Sequence, residues 1–115
     1  MSRRDVRVCL RHMLDAAQKA VAFCRGRTRA DLENDEILAL ALLRLLEVIG
    51  EAARHVPSEF RARAPAIPWR DITDMRDRLI HAYTAVDMDI VWTTVTERLP
   101  QLVAELEKLV PPETG

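Results

Sequence analysis

Apolar residues recur every three or four positions along most of this chain, which is the spacing of helices that bury one face. Residues 2–24 carry the first such stripe, and Gly26 follows it, where glycine commonly ends a helix. The stripe consists of Val6, Cys9, Leu10, Met13, Ala17, Ala20, Val21 and Cys24. We therefore predict a first helix over residues 2–24, and then a break in which Thr28 or Asn34 caps the next helix.

The second predicted helix, residues 37–50, is apolar around more of its circumference than one packed face requires. Its sequence, ILALALLRLLEVIG, contains two charged residues, Arg44 and Glu47. It is too short and too charged to span a membrane. A helix buried both against its own bundle and against a second copy explains the pattern, so the sequence predicts a homodimer. Gly50 costs about 1 kcal/mol relative to alanine in a helix, and it fits a place where two helices approach closely.

Prolines divide the rest of the chain. Residues 55–69 contain three of them and predict a connector with one short helical turn around residues 58–63. A third long helix is predicted from the Pro68-Trp69 pair to about residue 83.

A turn at Thr84 and Ala85 is predicted to lead into a last helix, which Asp87 caps. Pro100 should either kink that helix or lie where the lost hydrogen bond is cheap, and Pro111 helps to end it. The predicted fold is all-α, a compact antiparallel bundle of four to five helices that forms a single domain over residues 1–115.

Composition adds two limits to the possible functions. The formal net charge of −1 gives no overall attraction to nucleic acid, so any RNA contact must come from local patches. Cys9 and Cys24 would lie about 22 Å apart along one helix and cannot pair there, which favours a reducing compartment. The first residues lead into an amphipathic pattern rather than a signal peptide, so we expect a cytoplasmic protein with no membrane partner.

Candidate chemistry is concentrated in one segment, MRDRLIHAY, residues 75–83. Asp77 and His81 are four apart and face each other on a helix, so the carboxylate can hold the imidazole in one tautomer. Arg76 and Tyr83, seven apart, return to nearly the same direction. A cation, a titratable ring and a phenol together suit a phosphodiester.

Metal-free RNA cleavage needs a base for the 2′-hydroxyl, an acid for the leaving oxygen and a cation for the developing charge. One histidine cannot hold both protonation states, whereas two copies of the motif helix in a homodimer supply two histidines and two arginines. Two other interpretations remain. The motif also fits a solvated, salt-bridged face, and Glu47, Glu51 and His55, each four apart, could line a metal site. The Glu-x-x-His partner of such a site is missing, so no metal or cofactor is expected.

The run from residue 42 to 102 closely resembles the HepT-like toxins of the HEPN superfamily. The segments that carry the resemblance are LEVIGEAA (46–53), IPWRDI (67–72), MRDRLIHAY (75–83) and VDMDIVWTTV (86–95). The resemblance implies an all-helical, metal-independent endoribonuclease in which the Arg-x4-6-His motifs of two protomers meet at the dimer interface.

Carried over to this sequence, the resemblance implies that Arg76 stabilises the scissile phosphate and that His81 does the acid–base work. Asp77 supports them at a position where these toxins usually have asparagine, and Ala82 stands where glycine is common. Tyr83 completes the Arg-x4-His-x-Tyr signature, and the resemblance implies that an MntA-like minimal nucleotidyltransferase antitoxin transfers AMP onto it, as in a type VII toxin–antitoxin system. The extra charge of Asp77 favours the alternative of a catalytically weak HEPN module that binds nucleotide or a nucleotidyltransferase partner.

Overall fold

The computed structural model describes residues 3–81 and 86–111, except for the side chains of residues 3, 4, 80 and 81. All regular elements in these ranges are helical. They are α1 (Arg3–Cys24), α2 (Arg29–Asn34), α3 (Glu36–Arg54), α4 (Ser58–Arg63), α5 (Trp69–His81), α6 (Met88–Thr93), a π-helical segment (Thr94–Arg98) and α7 (Leu99–Leu109). The prediction of an all-α, compact helical bundle is confirmed. None of the described helices is both long enough and apolar enough to cross a bilayer.

The core lies around α1, which packs against both α3 and α7. Most of the apolar stripe predicted in residues 2–24 is buried there, although Cys9 and Val21 are only partly covered. The largest fully buried side chains are Leu10, Met13, Leu42, Val91, Val95 and Leu106. Because burying a side chain of this size contributes about 1.5–3 kcal/mol, the contacts of α1 with α3 and α7 hold the bundle together.

The helix predicted over residues 37–50 is longer than its sequence suggested. It begins at Glu36, where Asp35 rather than Asn34 is the N-cap and accepts a hydrogen bond from the backbone N–H of Leu38 at 3.0 Å. It continues through Gly50 to Arg54. Glycine is unfavourable inside a helix but does not forbid one, and the residues after it are good helix formers.

Between α1 and α2, the chain breaks at Gly26 and Thr28 as predicted. Gly26 takes a positive φ of 71°, the conformation with which glycine commonly ends a helix. Thr28 is the N-cap of the short helix α2, and its backbone N–H donates to the Asp31 carboxylate at 2.7 Å.

The connector between α3 and α5 contains the predicted helical turn, which is α4. Arg61 in this turn donates to the carbonyl oxygens of Ala53 at 2.8 Å and Val56 at 2.9 Å, so it adds charged hydrogen bonds to carbonyl groups at and just after the end of α3. Its guanidinium also lies 5.9 Å from the ring centre of Trp69, whose indole N–H donates to Ala64 O. Arg61 therefore ties the end of α3 to the start of α5.

The last helix begins as predicted, because the carboxylate of Asp87 accepts from the backbone N–H of Asp89 at 2.9 Å. The π-helical segment ends just before Pro100, and Leu99 N–H donates to Thr94 O, five residues back. Pro100 has no N–H to give and its ring would crowd the preceding turn, so the wider turn accommodates it. The turn predicted at residues 84–85 lies outside the described residues.

Candidate active site

Arg76 lies on the face of α5 that packs against α3, directly over Gly50. A Cβ atom added at Gly50 would be 2.2 Å from Arg76 Cβ, 2.9 Å from Arg76 Cγ and 3.3 Å from Ile72 O. The two helices therefore approach too closely for any other residue, as predicted for Gly50. Because Gly50 has no side chain, the aliphatic part of Arg76 packs directly against the backbone of α3.

Two carboxylates surround the guanidinium of Arg76. Nη2 is 2.5 Å from Oε2 of Glu51 on α3, and Nη1 donates to Oδ1 of Asp77 at 3.2 Å. The Arg76 side chain is only 17% exposed, whereas that of Asp77 is 59% exposed. Glu51 Oε2 is shielded from solvent and has no aligned hydrogen-bond donor, so its contact with Arg76 is a close ion pair.

Glu51 connects Arg76 to a second basic residue. Its other oxygen, Oε1, lies 3.1 Å from Nε2 of His55, one turn further along α3. This hydrogen bond, and then the charge of Arg76, lower the pKa of Glu51 despite the opposing effect of desolvation. The carboxylate is therefore ionised at neutral pH and engaged at both oxygens.

The structure brings together two of the residues that the sequence singled out, Arg76 and Asp77. His81 is the last residue of the same helix, but its side chain is not described, and Tyr83 lies outside the described residues. The predicted contact between Asp77 and His81 is thus untested, and the partner that the structure gives to Asp77 is Arg76.

Comparison with known proteins places this chain in a family. Residues 13–109 match the family model described as ribonuclease HepT-like. The chain belongs to the HepT-like ribonuclease family. The resemblance drawn from the sequence is therefore confirmed at the level of the family.

Three relatives in this HepT-like family match over nearly their whole length. A protein of Thermococcus cleftensis named as a probable ribonuclease HepT is 40% identical over 100 residues, which cover 87% of this chain and 91% of that protein. A protein of Caldanaerobacter subterraneus subsp. tengcongensis, whose name describes a candidate RNase, is 35% identical over 104 residues, or 90% and 93% of the two chains. A similarly named protein of Methanocaldococcus jannaschii is 34% identical over 107 residues, or 93% and 98%. No solved structure matches the chain.

Glu51 is the residue of this candidate site whose role the sequence predicted differently. Its spacing from Glu47 and His55 suggested a metal ligand, yet Glu47 pairs with Arg44 at 3.3 Å while Glu51 pairs with Arg76. Within the described ranges, no group of three or more acidic, histidine or cysteine side chains is arranged to hold a metal ion. Gly50 indicated a close helix crossing near Glu51, but the sequence did not show which side chain Glu51 would meet there.

A cleft of about 620 Å³ lies on another face of α5. Leu46, Ile72 and Leu102 line it together with Arg78, but Arg76 does not. A pocket rich in apolar groups suits a small molecule better than a phosphodiester. We therefore place the candidate site of this HepT-like protein at Arg76 rather than in the cleft.

Proposed function

We propose that this protein is a metal-independent RNA endonuclease and the toxin component of a type VII toxin–antitoxin system. The observation that carries the proposal is the packing of Arg76 against Gly50, which buries the aliphatic part of its side chain. This arginine lies five positions before His81 in a HepT-like chain. The names of its relatives, which describe ribonucleases, support the same activity.

The proposed reaction assigns one step to each residue type. One imidazole, that of His81, takes the proton of the 2′-hydroxyl, and the 2′-oxygen attacks phosphorus while the bond to the 5′-oxygen breaks. A second imidazole gives its proton to that leaving oxygen, so the products are a 2′,3′-cyclic phosphate and a 5′-hydroxyl. Arg76 stabilises the charge on the non-bridging oxygens, and Asp77 helps to orient Arg76.

The second imidazole is proposed to come from a second copy of the chain. The outer face of α3 supports this, because Ile37 is 81% exposed and Leu40 is 58% exposed although both are large and apolar. Residues 14 apart on a helix differ by about 40° in direction, so Glu51 lies on nearly the same face as Ile37. A second copy packed on this face would bring two Arg76 side chains toward one cleft, and we propose this homodimer as the active form.

Control by a partner enzyme is the second part of the proposal. An MntA-like nucleotidyltransferase would transfer AMP from ATP to Tyr83, with the phenol oxygen attacking the α-phosphorus and pyrophosphate leaving. A phosphate attached two residues after His81 would compete with RNA for Arg76. Co-expression with such an enzyme should raise the intact mass by one or more AMP units, and Tyr83→Phe should abolish the rise. An unchanged wild-type mass would contradict this part.

Expression in bacteria tests the nuclease. We expect growth arrest and RNA cleavage from the wild type, with loss of both in Arg76→Ala and in His81→Ala. Arg78→Ala is the matched control, because Arg78 lies two residues away on α5 but at the cleft. Retained cleavage in Arg76→Ala would refute the assignment.

A catalytically weak module that binds nucleotide or a nucleotidyltransferase is the second candidate function. The observation that favours it is the negative charge around Arg76, since Glu51 and Asp77 both pair with the guanidinium. This candidate predicts harmless expression of the wild type together with measurable binding of ATP or of the partner enzyme.

A further inference from the structure

An arginine side chain has many rotamers, so something must fix the guanidinium before it can serve as a preorganised cation. Gly50 fixes the stem of Arg76 but does not reach its charged end. Asp77 is the adjacent residue on the same helix and is mostly exposed, so its 3.2 Å contact is a weak restraint. Glu51 comes from another helix and makes the closer contact, at 2.5 Å.

The carboxylate of Glu51 is itself held in place. Oε1 is engaged by His55 at 3.1 Å, and Oε2 is shielded from solvent beside Arg76. Both oxygens are therefore held in place, and the orientation of the carboxylate is fixed relative to α3. A guanidinium carries five N–H groups, so Glu51 and Asp77 leave donors that can face an incoming phosphate.

We propose that Glu51 is a positioning residue for Arg76, which holds the guanidinium against α3 so that its remaining donors meet the scissile phosphate. This inference deepens the proposed function and rests on it. Glu51 does not touch the RNA in this arrangement, and it acts through Arg76 alone.

The opposite role for Glu51 makes a different prediction. A carboxylate that merely occupies the phosphate site would inhibit cleavage, and its neutralisation would raise the rate. Neutralising a positioning carboxylate should change the cleavage rate and the RNA affinity in different ways. The rate at saturating RNA falls because Arg76 is free to turn away, while RNA binding does not weaken because a negative charge near the phosphate has been removed.

The kinetic experiment compares Glu51→Gln with Glu47→Gln in single-turnover cleavage of a fluorescein-labelled single-stranded RNA of mixed sequence. Glu47 is a matched control, since it is a glutamate on α3 paired with a different arginine, Arg44. We expect Glu51→Gln to slow cleavage roughly tenfold or more at saturating RNA, with a half-saturating concentration that is unchanged or lower. Glu47→Gln should match the wild type. Cleavage by Glu51→Gln at the wild-type rate or faster would overturn the proposal.

A second measurement separates this inference from the proposed function. Side-chain NMR of the RNA-free protein, with the Arg76 signals assigned by Arg76→Lys, reports rotation of the guanidinium. We expect slow rotation in the wild type and in Glu47→Gln, and fast rotation in Glu51→Gln. Unchanged Arg76 signals in a folded Glu51→Gln protein would overturn the positioning role. A wild type that cleaves no RNA would refute the nuclease, and the NMR result alone would then decide whether Glu51 holds Arg76.

Discussion

Gly50 gives α5 the room to lay Arg76 across α3. Among the residues of this site, Arg76 and Asp77 could be found from the sequence because they lie in one short motif. Glu51 could not be identified as their partner, because its role depends on where α5 crosses α3, and helix periodicity fixes which face a residue occupies but not which side chain it meets.

Substitution of Gly50 by alanine should therefore damage both fold and site. Alanine raises helix propensity by about 1 kcal/mol, but its Cβ would overlap the stem of Arg76, which cannot swing away. We expect a net loss of about 1–3 kcal/mol in the free energy of unfolding, as for other overpacked sites, and loss of RNA cleavage. Urea denaturation and a cleavage assay measure the two effects.

Gly26→Ala is the control for that experiment. Gly26 has a positive φ but no atom within 4 Å of an added Cβ, so alanine there strains the backbone without touching Arg76. It should cost about 1 kcal/mol and leave cleavage unchanged. Equal stability of Gly50→Ala and wild type would contradict the close approach of the helices.

The hydrogen bond of Glu51 with His55, together with its ion pair with Arg76, makes the stability depend on pH. The pKa of Glu51 is lowered in the folded protein, so its contribution to stability is complete above the usual glutamate pKa of about 4.3 and is lost as pH falls through the lower value. We expect the wild type to melt above Glu51→Gln at neutral pH, and the two melting curves to converge in acid. Glu47→Gln controls for loss of a carboxylate on α3. A gap that stays constant down to about pH 3 would contradict the assignment.

At the scale of elements, the sequence predicted the helices better than their ends. The apolar stripes, the turn of α4 and the cap at Asp87 follow from local rules, and the structure confirms them. Asn34 and Asp35 are both good caps, so the choice between them depends on packing. The second helix was predicted to stop at Gly50, but it continues through this residue to Arg54. The close contact with α5, rather than a helix end, explains the glycine.

Arg61 connects α3, α4 and α5, and its substitution tests how much this connection stabilises the fold. Arg61→Ala should lower the free energy of unfolding by about 2 kcal/mol, because the hydrogen bonds from its charged guanidinium to the carbonyl oxygens of Ala53 and Val56 are lost. Arg63→Ala is the control, since Arg63 lies over Phe60 without making such bonds. Urea denaturation of both variants distinguishes them, and equal stabilities would argue against the role of Arg61.

At the scale of the whole molecule, the class of fold could be predicted but the arrangement of helices could not. Periodicity gives each helix one buried face, and several pairings of such faces are compatible with it. The packing of α1 between α3 and α7, and of α5 against α3, comes from the side chains that fit together. The homodimer stays a prediction.

Substitution of the two exposed apolar residues on α3 tests the homodimer. Ile37→Asp and Leu40→Asp should leave the monomer folded but convert the dimer to monomer, measured by light scattering after size-exclusion chromatography, and should abolish cleavage. Val8→Asp is the control, because Val8 is also exposed and apolar but belongs to α1. A wild type that is monomeric at tens of micromolar, yet cleaves RNA, would exclude a composite site.

In the proposed homodimer, the outer face of α3, apolar at its start and carrying Glu51 further on, would link the amount of protein to its activity. A nuclease assembled from two halves on this face is second order in chain concentration when the protein is scarce. A few copies that escape the proposed antitoxin would do little harm, whereas a larger surplus would act abruptly. The threshold at which such a toxin begins to kill would then be set by the affinity of one helix surface for itself.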